Sequence, residues 1–166
     1  MYPRKRLVTE RLLTPTSSSK TDIKYGFIAG EERFFFIQSC IDVYDRSIVA
    51  FHIGLSCEAK DVASTLQSAL MKRQLFEALE NPVIRSDNGP QFISHAFQQA
   101  CTSFGVEHER IPPKTPNMNA HIESFHRLLQ DECLARYEFQ TYGEAYQAVT
   151  EVHSVLQRAT NSFEHS

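Results

Sequence analysis

Three strand-like runs in close succession, followed by an abrupt change of period, hold this 166-residue chain to a mixed α/β architecture. From Asp22 the alternation of Ile23, Tyr25 and Phe27 has the period of a half-buried strand, and Ala29-Gly30-Glu31-Glu32 reads as the turn of a first hairpin. Phe34 to Ile37 and Cys40 to Tyr44 form a nearly continuous apolar run, which suits a central strand covered on both faces. Asp45-Arg46 turns the chain into a third strand, Ile48 to Ile53. At Glu58 the period becomes helical: Val62, Leu66, Ala69 and Leu70 share one face of a segment running to about Leu79, with Ser56 as its expected cap.

Beyond it, Pro82 to Ser86 is too short for a helix and reads as a fourth strand. Ser94 to Phe104 reads as a helix closed by Gly105, and Val106 to Ile111 as a last short strand. Pro112-Pro113-Lys114-Thr115-Pro116 forbids regular structure, and Asn117 or Asn119 is placed to cap a helix from about Ala120. Its apolar stripe is Ile122, Phe125, Leu128, Leu129 and Leu134; a final helix covers Tyr142 to about Leu156. The order predicts a mixed five-stranded sheet with helices on its faces. In such sheets active groups gather at the carboxyl ends of strands, where Asp87 falls.

A composition of 42% apolar and 11% aromatic residues suffices for one core. Residues 1–21 read as a basic then polar tail, 22–150 as the core and 151–166 as a divergent or truncated tail. A net charge of -3 argues against a chain that holds a polyanion unaided. The one local exception is Arg4, Lys5, Arg6 and Arg11, a small basic arm whose simpler reading is a solvated terminus. Cys40, Cys57, Cys101 and Cys133 are irregularly spaced, with no Cys-x-x-Cys pair, and are expected to be reduced and mostly buried. No apolar stretch approaches the roughly 20 residues that span a bilayer. A soluble, cytoplasmic protein without membrane contact is the expectation.

The chemistry lies in the acids. Asp87 and Glu123 have 35 residues between them, and Asp22 stands upstream. Carboxylates delivered to one point from separate elements raise each other's pKa unless a cation neutralises them. Hard oxygen ligands suit magnesium or manganese, whose usual partners are phosphate oxygens. Metal-dependent phosphoryl transfer on nucleic acid is therefore the leading reading. Taken singly, each acid has a plainer explanation: Asp22 as a strand-end aspartate, Asp87-Asn88-Gly89 as a tight turn, and Glu123 as a solvent-facing glutamate in the first turn of its helix, paired with Arg127.

Thr21-Asp22-Ile23, Ile41-Asp42-Val43-Tyr44-Asp45-Arg46, Ser86-Asp87-Asn88-Gly89 and Ile122-Glu123-Ser124-Phe125 resemble the catalytic core of bacterial insertion-sequence transposases, relatives of the retroviral integrases. The resemblance covers roughly residues 20–150. It implies a ribonuclease H-like fold in which Asp22, Asp87 and Glu123 are catalytic and hold two Mg2+ or Mn2+ ions about 4 Å apart. It also implies hydrolysis at an element end and then attack of the freed 3′-hydroxyl on target DNA. Asn88, Lys114 and Arg127 are the implied DNA contacts, since positioning and charge stabilisation are what such chemistry asks of the protein. Asp42 is expected to be structural. His126 either assists or is an ordinary surface histidine. The implied partners are element-end and target DNA, further copies of the chain in a transposition complex, and a helical DNA-binding domain normally found ahead of the core.

The chain departs from this pattern in two places. It has no tryptophan, whereas its relatives place one a few residues before the first acid; Ser17 to Lys20 stands there, so the first strand is expected to lose its leading half. After Val149 the usual aromatic-Asn and Arg-x-His segment is replaced by a different sequence. Three readings stay open: a working transposase core, a non-catalytic remnant that folds and binds DNA or partner subunits, and a metal-dependent nuclease that cuts without joining. His121-Ile122-Glu123 suggests a zinc deaminase, but no Pro-Cys-x-x-Cys follows, and the scattered Cys and His do not support zinc otherwise.

Overall fold

The computed structural model describes residues 18–73, 81–112 and 116–164, with the backbone alone for 116–121 and 158–164. Five strands, β1 (Ser18–Ile28), β2 (Arg33–Asp42), β3 (Ile48–Gly54), β4 (Val83–Ser86) and β5 (Glu107–Arg110), form one sheet in the order β3-β2-β1-β4-β5. The first three pair antiparallel as a meander, and β4 and β5 extend the sheet in parallel from β1. Helix α1 (Ala59–Lys72), the single turn α2 (Pro90–Ile93) and α3 (His95–Phe104) lie on one face. Helix α4 (Pro116–Leu129), a π-helical turn at Gln130–Leu134 and α5 (Tyr142–Glu164) cover the other.

Strand β2 is the apolar spine because it is buried on both sides. Phe35, Ile37 and Ile41 join the α4–α5 core, while Phe36 and Cys40 join the α1–α3 core. Strand β1 behaves differently from its alternation. Ile23 is partly buried, but Tyr25 and Phe27 are 63% and 49% exposed and pack instead with Phe34 of β2 at ring distances of 5.6 and 5.1 Å. The hairpin outruns the helix beneath it, so its aromatic face finds only itself. On the opposite face Gly26 is obligatory, since a Cβ there would lie 2.5 Å from the Phe35 ring.

Local chemistry sets the helix ends, not always as the sequence suggested. Glu58, rather than Ser56, caps α1 through a reciprocal capping box with Asp61. Ser94 accepts from the Phe97 amide at the start of α3, and Gly105, at φ 69°, closes it in the left-handed conformation. Helix α4 begins at Pro116, a residue type pre-set for a first helical position, so Asn117 and Asn119 lie inside it instead of capping it. Strand β1 begins at Ser18, four residues before Asp22: Lys20 pairs with Ile41 on one side and Arg85 on the other, so the leading half of the strand is present without a tryptophan. Helix α5 runs to Glu164, past the predicted end.

Asp42 closes the β2–β3 turn by accepting from the amides of Tyr44 at 2.7 Å and Asp45 at 3.4 Å, with Arg73 of the α1 terminus 2.8 Å from Asp45. His153 of α5 is fully buried, donates from Nδ1 to the Val149 carbonyl at 2.8 Å, meets Ser39 Oγ at 3.3 Å and stacks on Phe51. All four cysteines are free and buried, Cys133 on the α4–α5 side and the other three on the α1–α3 side. Among the described residues no helix is long and apolar enough to cross a membrane.

Candidate active site

Strands β1 and β4 run parallel with Lys20 opposite Arg85. Side chains return to the same face every second residue. Asp22, two residues past Lys20, and Asp87, two past Arg85 and directly after β4, therefore leave the sheet side by side, where the carboxyl end of β4 meets the middle of β1. That face is the one covered by α4, because Asp22 pairs with Ser39, the neighbour of His153. Helix α4 sits down through Ile122, Phe125 and Leu129, all buried. Its flank brings His126 Nδ1 to 3.8 Å from Asp22 Oδ2, with Glu123 one turn earlier on the same side.

The electrostatics report the convergence. Asp22 is pushed up to about 6, first by burial and further by the charges of Asp87 and Glu123, against the Ile23 amide that donates to its Oδ1 at 2.8 Å. Asp87 is exposed, and its Oδ1 accepts from the Gly89 amide at 2.9 Å. A Cβ on Gly89 would stand 3.0 Å from that same oxygen, so the glycine both donates to the carboxylate and leaves room for it. Among the described residues no three His, Cys, Asp or Glu side chains are drawn close enough to form a closed metal-ligand cluster.

A mixed sheet in the order 3-2-1-4-5, with acids at its centre and helices on both faces, is joined by a direct sequence match. The integrase core domain family matches residues 14–116, and a second match to an integrase core domain covers 104–155. The chain belongs to the integrase core domain family. It is 40% identical over 137 residues to the insertion element IS476 uncharacterized 39.2 kDa protein of Xanthomonas euvesicatoria, which covers 82% of this chain and 38% of that protein. The chain thus spans less than half the length of the curated relatives it matches first. The Mos1 transposase catalytic domain solved with raltegravir and manganese superposes with a TM-score of 0.67 at 13% identity, over 95% of this chain and 83% of that one. The HTLV-2 integrase catalytic core domain in complex with magnesium does so with a TM-score of 0.51 at 18% identity, over 72% and 70%. These likenesses establish the ribonuclease H-like fold.

Several neighbours of the acids in this integrase core domain differ from expectation. Glu123 lies about two turns inside α4, beyond the reach of the helix-end dipole, and no ion pair among the described residues joins it to Arg127. His126 is not a surface histidine. Burial, then Lys24 and His153, lower it to about 4, and its Nε2 is buried without a hydrogen-bond partner. At neutral pH it is therefore a neutral ring beside an ionised Asp22. Asn88 and Arg127 are exposed; Lys114 falls outside the described residues.

Sequence reasoning passed over Lys20, which is only 5% exposed. Burial and Arg85 lower its pKa, opposed by Glu123, whose charge therefore reaches the Lys20 amine. The signals were there: Lys20 is two residues from Asp22 on a strand, and His126 is three from Glu123 on a helix.

Proposed function

We propose that this chain is the catalytic core of an insertion-element transposase, which hydrolyses a phosphodiester at an element end and joins the freed 3′-hydroxyl to target DNA. The observation that carries this reading is that the charges of Asp87 and Glu123 both reach half-buried Asp22 and raise its pKa within an integrase core domain. Relatives described as insertion-element proteins and a Mos1 transposase neighbour support the reaction class, and neighbours solved with magnesium and manganese support the metal.

The donor set fits such ions: three carboxylates and no thiolate make a hard-oxygen site. Asp22, Asp87 and Glu123 would hold two Mg2+ or Mn2+ ions, which when bound neutralise phosphoryl oxygens and activate the attacking hydroxyl. The chain's own residues prepare for this. The Ile23 and Gly89 amides each hold one carboxylate oxygen, of Asp22 and Asp87 respectively, which orients both groups and leaves the second oxygen of each for coordination. Neutral His126 packs against Asp22 without adding a competing positive charge, and Lys20 offsets part of the negative charge from below. Asn88, Lys114 and Arg127 are the DNA contacts of this reading. A net charge of -3 gives weak grip on DNA, so recognition of element ends falls to the parts of the longer relatives that this chain does not span, and to assembly of several copies.

The test is strand joining with pre-cleaved element-end DNA and manganese, comparing the parent with Glu123→Gln. Joined products are expected from the parent alone, because the glutamate acts through the ion. Joining by the variant at the parental rate overturns the assignment.

A further inference from the structure

The second carboxylate is held from behind as well as from in front. Strand alternation turns Ser86 to the α1–α3 face, opposite to Asp87, and there a line of hydrogen bonds runs from α3 to the Asp87 peptide. Gln98 Nε2 donates to the Phe92 carbonyl at 3.0 Å and lies 2.9 Å from His108 Nδ1. His108 Nε2 is 2.7 Å from Ser86 Oγ, which is 2.9 Å from the Asp87 carbonyl oxygen.

Elementary chemistry fixes the direction of every link. A carbonyl only accepts, so the Gln98 group facing Phe92 is its amide nitrogen, and that nitrogen also donates to Nδ1. Nδ1 is then the bare nitrogen of a neutral ring, and the proton sits on Nε2, which donates to Ser86 Oγ. The serine hydrogen is left for the Asp87 carbonyl. Each hydrogen is used once, so the line is consistent from end to end. It is also rigidly housed: Ser86 is 1% exposed, the His108 ring meets Phe97 edge-on at 5.0 Å, and the Ile111 amide donates to the Ser86 carbonyl at 2.7 Å. Burial and Arg110 lower the pKa of His108, which keeps the ring neutral.

We propose that Gln98, His108 and Ser86 are positioning residues for Asp87. They fix its peptide plane from the back of the sheet while Gly89 holds its carboxylate from the front, and so aim that carboxylate at Asp22 and Glu123. The inference rests on the metal reading above. Partners that orient a metal ligand without touching the ion typically change metal affinity by about 10- to 100-fold when removed.

The experiment is Mn2+ binding to the whole chain, followed by the electron paramagnetic resonance of free Mn2+, beside thermal unfolding without metal. Ser86→Ala is expected to weaken Mn2+ binding about tenfold at a temperature where the variant, despite the lower unfolding midpoint that loss of a buried hydroxyl brings, is still fully folded. Gln98→Met, similar in length but without a donor, acts in the same direction. The double variant is no weaker than the weaker single one, because a broken line cannot be broken again. Ser86→Thr, which keeps the hydroxyl, binds like the parent. Parental affinity in Ser86→Ala, additive losses in the double variant, or failure of Ser86→Thr to bind like the parent overturns the inference alone. A parent that binds no Mn2+ overturns the metal reading and this inference with it.

Discussion

The two faces of the sheet are built on different terms. On the α1–α3 side Val62, Leu66, Leu70, Ile84, Phe92 and Phe97 make an apolar core into which neutral polar groups are tied: Thr65 donates to the Asp61 carbonyl, the Gln38 amide nitrogen to Thr21 while its oxygen has no partner, and Ser86 sits within its hydrogen-bonded line. On the α4–α5 side β1 presents Lys20, Asp22 and Lys24 in a row beneath His126 and His153, with groups held away from their ordinary ionisation. The difference teaches where the chain can tolerate unfavourable chemistry. Both faces secure the sheet with apolar area, and the α4–α5 face alone adds to its core a set of carboxylates kept together for use.

Four experiments sharpen or break that contrast. The largest effect belongs to the α1–α3 core: Phe97→Ala, at a fully buried ring, should cost about 3–5 kcal/mol by denaturant unfolding; a loss under 1 kcal/mol would mean that this core is not tightly packed. On the other face, Asp22→Asn should abolish strand joining yet stabilise the metal-free chain at pH 7 by about 1–2 kcal/mol after allowance for solvent screening. Added Mn2+ should raise the unfolding midpoint of the parent and leave this variant unchanged. A less stable variant would show that burial and the neighbouring acids together do not disfavour the Asp22 carboxylate.

The pH dependence follows from two opposed groups. Asp22, raised from 3.8 to about 6, binds its proton more tightly when folded, so the stability it lends at acid pH is lost as pH rises through 6. His126, lowered from 6.5 to about 4, does the reverse and loses its contribution as pH falls through 4. Between pH 4 and 6 the slopes offset each other in the parent. Asp22→Asn should therefore lose more stability on acidification than the parent, and His126→Asn less, by about 1–2 kcal/mol in each case; parallel profiles would break the argument. Smallest of the four, Gly105→Ala should cost about 1 kcal/mol, because φ of 69° there disfavours any Cβ although the space around it is open.

The succession of strands and helices along the chain, the turn at 29–32 and the glycine-closed α3 were legible in the sequence, because each rests on local period or a short motif; the three acids stood out by their spacing and flanks, and their role is part of the proposal above. What escaped was decided by tertiary context. Tyr25 and Phe27 alternate like buried residues but lie beyond the end of the covering helix. The α1 cap moved from Ser56 to Glu58 because a reciprocal bond with Asp61 satisfies more of the helix end than a lone serine does. His126 looked like a surface residue because its burial depends on how α4 sits against β1, and the His108 line joins residues that are remote in sequence.

The four thiols give the molecule its own clock. Burial pushes Cys40 up to about 12 and Cys57 and Cys101 to about 11, and raises Cys133 as well. Thiol reagents attack the thiolate, so the folded chain should be silent to them and each labelling event should mark an opening. With Cys133 under α4–α5 and three cysteines under α1–α3, the order in which they are labelled would tell which half of the molecule lets go first.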